Sequence, residues 1–74
     1  MFEAELQYFI KNQDALVAQH RGRTLILRGD AVVGVEDTPL MAYLAAKQRF
    51  EPGSFMIQLC VPGPEAYTVT LANA

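Results

Sequence analysis

The chain has 74 residues, a formal net charge of -2, one Cys, one His and no Trp. That leaves room for one domain, and it excludes an internal disulfide and a Cys/His zinc cluster. With 51% hydrophobic and 19% charged residues, the composition is that of a folded chain and not of a disordered one, which is too polar to offset its ordering entropy by burial.

Six scattered basic residues do not make the footprint that nucleic acid demands. No apolar run approaches the roughly 20 residues that span a bilayer, and Met1-Phe2-Glu3-Ala4-Glu5 begins acidic where a secretory signal begins basic. The expectation is a cytoplasmic protein with no membrane, nucleic-acid, metal or cofactor partner. A core this small supplies only roughly 3–5 kcal/mol, so a homodimer is the expected remedy.

In chain order, Phe2, Leu6, Phe9, Ile10, Leu16 and Val17 fall on one stripe of a 3.6-residue helix running to His20, with Gln13 and His20 in the same stripe. Gly22 follows as a terminating residue. Asn12-Gln13-Asp14 offers an alternative start for a second, shorter helix. Arg23–Arg28 and Ala31–Glu36 are β-rich and separated only by Gly29-Asp30, which reads as a hairpin. Thr38-Pro39 gives a helix start, with Thr38 as N-cap and Pro39 in the first turn. That helix is expected to reach about Phe50, with Leu40, Met41, Tyr43, Leu44 and Phe50 facing the core and Ala42, Ala45 and Ala46 on the other side.

Ser54 to Val61 alternates, with Phe55, Ile57, Leu59 and Val61 on one face and Met56, Gln58 and Cys60 on the other. The second face is only half polar, which places the strand centrally or has something covering it. After Pro62-Gly63-Pro64, Ala66 to Leu71 alternates again as a fourth strand. The order α-β-β-α-β-β predicts an α+β fold, a two-layer sandwich with both helices on one face of a four-stranded mixed or antiparallel sheet.

Several of these segments together resemble a small bacterial family of unknown function. They are Tyr8-Phe9-Ile10 through Leu16-Val17, Arg21-Gly22-Arg23-Thr24-Leu25-Ile26, Val32-Val33-Gly34-Val35, Ala42-Tyr43-Leu44-Ala45-Ala46, Pro52-Gly53-Ser54-Phe55-Met56-Ile57-Gln58 and Pro62-Gly63-Pro64-Glu65-Ala66-Tyr67-Thr68. The resemblance covers nearly the whole chain and implies a helix, a Gly-Lys type strand, a return strand, a helix and a Phe-x-Ile-Gln strand. It implies no activity.

The residues that usually carry chemistry are sparse. His20 lies on a packing stripe at a helix end, and Cys60 has no adjacent His or helix N-terminus to lower its pKa. Asp30, Glu36 and Asp37 match no calcium loop, and Arg28-Gly29-Asp30 is a three-residue match of no weight. No catalytic residue is assigned, and an enzyme is not expected. Two sites remain as expectations. One is a protein-contact face made of Ile26, Met56, Gln58, Cys60, Thr68 and Thr70, serving a homodimer or accessory subunit. The alternative is an anion or small-ligand site at Arg21, Arg23 and Arg28, whose guanidinium groups suit bidentate contacts to phosphate or carboxylate.

Overall fold

In the computed structural model, residues 2–72 are described, and side chains for residues 2–67. Helix α1 covers Glu3–His20, strands β1 and β2 cover Thr24–Arg28 and Ala31–Glu36, and helix α2 covers Pro39–Arg49. Strand β3 follows at Met56–Leu59, then a 3-10 helix at Pro64–Val69 and the short strand β4 at Thr70–Ala72. The fold is α+β, and every strand pairing is antiparallel.

The sheet order is β2-β1-β3-β4, with only three residues in β4. Register fixes the two faces. Leu25 sits opposite Gln58 and Leu27 opposite Met56, while Ile26 sits opposite Ile57, so alternate residues of β1 and β3 project to opposite sides. Phe9 and Leu16 of α1 pack with Leu25, Leu27, Met56 and Cys60. Ala42 and Ala46 of α2 pack with Ile26, Phe55 and Ile57. The helices therefore lie on opposite faces of the sheet, which corrects the expectation of both on one face. β3 reads as apolar on both sides because each side carries its own helix.

The turn at Gly29-Asp30 has positive φ at Gly29 alone, +59°. That is the φ pattern of a type II′ hairpin, in which glycine takes the first central position. Between β1 and β2 the register slips: Ile26 pairs with Gly34 but Leu27 with Val32, leaving Val33 as the extra residue of a bulge.

The expected strand over Ala66–Leu71 is a second correction over most of its length: the chain from Pro64 to Val69 is a 3-10 helix, and only Thr70 and Leu71 of that span belong to β4. Buried amides hold it there. Gln58 Nε2 donates to the Ala66 carbonyl at 2.8 Å, and Gln13 Nε2 donates to the carbonyls of Val61 and Gly63 at 2.9 and 3.0 Å. Ala66 is fully buried in the α1-side core, and the Tyr67 ring meets Phe9 edge-on.

Candidate functional site

The outward face of α2 is the most unusual surface among the described residues. The Thr38 hydroxyl accepts a hydrogen bond from the Met41 amide at 3.1 Å, capping the helix, and Pro39 occupies its first turn. At 100° per residue, Ala42, Ala46 and Arg49 form one stripe, and Leu40, Leu44, Met41 and Lys47 form the opposite one. The alanines are fully buried, while Leu40, Met41 and Leu44 are 66%, 48% and 49% exposed. This reverses the expectation for Leu40, Met41 and Leu44 and for Ala42 and Ala46, whereas Tyr43 and Phe50 pack against the core as expected. Ile26, Ile57, Val33 and Phe55 already fill the layer beneath, and the small stripe lets the helix backbone approach them closely, so the large residues are left outside. Fully burying one such side chain is worth about 1.5–3 kcal/mol, of which this chain alone forgoes about half at Met41 and Leu44 and more at Leu40.

Lys47 continues the stripe, its ammonium 5.6 Å from the Tyr43 ring centre. Glu36 and Asp37 precede the helix, so its surface is acidic at the entrance, apolar in the middle and basic at the exit.

The expected contact face is not a surface. Ile26, Met56, Gln58 and Cys60 are each at most 1% exposed, because α2 covers Ile26 and α1 covers Met56 and Cys60. Gln58 is occupied by the carbonyls of Leu59 and Ala66. The side chains of Thr68 and Thr70 lie outside the described residues. Burial pushes the Cys60 thiol above its ordinary pKa, the opposite of what a nucleophile needs.

Of the three expected anion-binding arginines, Arg21 is the C-cap residue of α1, and Arg23 and Arg28 do not converge. Arg23 precedes β1, where it forms an ion pair with Asp37 at 3.2 Å, both side chains exposed. Arg28 ends β1, five residues and roughly 16 Å away at the rise of a strand. There it meets a residue that sequence reasoning passed over. The Arg28 guanidinium lies 4.6 Å from the Phe50 ring centre and that of Arg49 lies 4.9 Å from it. Periodicity placed Arg49 on a helix and Arg28 on a strand, but gave no sign that the two elements end side by side.

A shallow recess of about 380 Å³ is lined by Ala4, Gln7, Tyr8, Lys11, Asn12 and Asp30. Among the described residues no group of three or more His, Cys, Asp or Glu is placed to hold a metal ion. No described helix is long and apolar enough to cross a membrane. No family model, curated protein or solved structure matches the chain.

Proposed function

We propose that this chain is a non-catalytic protein-interaction module, working in the cytoplasm, that docks through the outer face of α2 onto a second copy of itself. The exposure of Leu40, Met41 and Leu44 on a helix whose alanines face inward carries this reading. Isologous contacts need a self-complementary patch. Two antiparallel copies of α2 juxtapose leucine with leucine at the centre and bring the acidic entrance of one copy, where Glu36 is not engaged by Arg23 as Asp37 is, towards Lys47 of the other.

The open edge at β2 is a poorer docking place. The bulge at Val33 breaks its regular ladder, and Arg49 Nη1 donates to the Val33 carbonyl at 3.2 Å. Bulges and charged side chains are the usual means of blunting an edge against strand addition. An 11-residue helix is about 16 Å long, so the interface is small, which suits a weak, reversible dimer.

The test is sedimentation equilibrium between micromolar and millimolar chain concentration, on the natural chain and on Leu44→Glu. The expected result is a mass that rises towards twice the monomer for the natural chain and stays monomeric for the variant, with unchanged circular dichroism. A monomeric mass for the natural chain throughout the range overturns the reading.

A further inference from the structure

The Arg28–Phe50–Arg49 group is independent of the outer stripe of α2. Arg49 belongs to the inward stripe, and Arg28 comes from the end of β1. Each guanidinium is held twice. Arg28 stacks on Phe50 and donates Nε–H to the Ser54 carbonyl at 3.2 Å; Arg49 stacks on the same ring and donates from Nη1 to the Val33 carbonyl at 3.2 Å.

Neither arginine has a carboxylate partner among the described residues, unlike Arg23, which pairs with Asp37. The two guanidinium carbons can be no farther apart than the sum of their 4.6 and 4.9 Å distances to the ring centre. A tetrahedral oxyanion accepting from two guanidiniums at N···O of about 2.9 Å spans roughly 8 Å between their carbons, which lies within that bound.

Like charges held within that bound repel, and a side chain held by a ring contact and a main-chain hydrogen bond cannot swing away freely. An anion between them relieves the repulsion without the ordering entropy that a free arginine loses on binding. Of Arg28's nitrogens only Nε is engaged, and of Arg49's only Nη1, so each keeps donors for a ligand. Paired donors on a rigid fork match phosphate geometry better than a point charge does.

We propose that Arg28 and Arg49, both held against the Phe50 ring, form a binding site for a phosphate group. Free phosphate and a phosphomonoester share this chemistry. The experiment follows the arginine Nε–H signals by proton–nitrogen NMR while inorganic phosphate, or O-phosphoserine, is added at constant ionic strength with sodium chloride as control.

The expected result is a saturable shift of Arg28 and Arg49, half-complete in the millimolar range and absent at Arg21 and Arg23. Tighter binding of the phosphomonoester assigns the site to organic phosphates, and equal or tighter binding of inorganic phosphate assigns it to the free anion. Arg28→Lys and Arg49→Lys keep the charge, and each is expected to weaken binding at least fivefold, with an unchanged melting temperature showing that the fold is intact. Should a lysine variant fail to fold, the titration of the natural chain decides alone. Shifts that are linear in concentration, or of equal size at Arg21 and Arg23, overturn the proposal. A monomeric chain that still binds phosphate here would separate this site from the docking face.

Discussion

The Tyr67 hydroxyl donates to Gln13 Oε1 at 2.7 Å, joining the middle of α1 to the 3-10 helix 54 residues later. With its Nε2 shared between the carbonyls of Val61 and Gly63, Gln13 pins the whole turn between β3 and β4 against the first helix. Buried side-chain amides satisfied in this way stabilise modestly while intact and cost much more when one member is removed.

Replacing Gln13 by Leu removes all three hydrogen bonds while keeping the volume apolar. Two carbonyls and a phenol are left to find other partners. We expect a loss of about 2–3 kcal/mol, read as a lower urea midpoint with an unchanged slope. A midpoint equal to that of the natural chain would show that the bonds contribute nothing net.

Much of the fold is legible in the residues, and the exceptions share a cause. The stripe from Phe2 to His20, the Gly29-Asp30 turn and the Thr38-Pro39 start mark α1, the hairpin and α2 within a residue or two of where they lie. Those signals are local. Which side of the sheet each helix covers depends on how β1 and β3 pair, and Ile26 meeting Ile57 is a register that alternation within one strand does not reveal. The same holds for α2, where apolar size pointed one way and the space above Ile26 and Ile57 decided the other. Over Ala66–Val69 the alternation is genuine, but hydrogen bonds from Gln13 and Gln58 compete with strand pairing and win. For the candidate sites, sequence reasoning grouped Arg28 with Arg21 and Arg23, whereas Arg49 comes to the same Phe50 ring as Arg28 only through the meeting of two element ends.

Thr24 is fully buried, and its hydroxyl has no hydrogen-bond partner among the described residues. A buried hydroxyl left unpaired costs about 1–3 kcal/mol, and valine has nearly the same shape without it. Thr24→Val is therefore expected to raise the melting temperature by roughly 4–8 °C for each kcal/mol recovered. A fall in melting temperature would mean that the hydroxyl is satisfied in solution.

A Cβ added to Gly34 would lie 2.8 Å from Ile26 Cδ1, and Ile26 is itself fully buried. Gly34→Ala is expected to cost about 1–3 kcal/mol through overpacking. Ile26→Val deletes the clashing methyl. In a double-mutant cycle the pair should cost at least about 0.5 kcal/mol less than the sum of the single changes. Simple additivity would place the strain elsewhere.

Burial raises the Cys60 thiol above its ordinary value of 9.0. A folded pKa above the unfolded one means that the neutral thiol is favoured in the fold, so its contribution is complete below about pH 9 and is lost as the pH rises through the folded value. Denaturation at pH 8 and pH 10 should show a drop in stability that is smaller in Cys60→Ala. An equal drop in both chains would assign the alkaline loss to other groups.

The two buried alanines of α2 also act as a gauge. One methyl group at Ala42 and one at Ala46 set how far the helix axis stands above Ile26 and Ile57, and that height brings Arg49 within reach of the Val33 carbonyl and the Phe50 ring within reach of Arg28. Thickening the layer at Ala46 by two methyl groups, as valine would, lifts the end of the helix like a wedge under a beam. The arginine pair would then open, although neither arginine had been touched. The spacing of two cations at the rim is thus written in the smallest side chains of the interior.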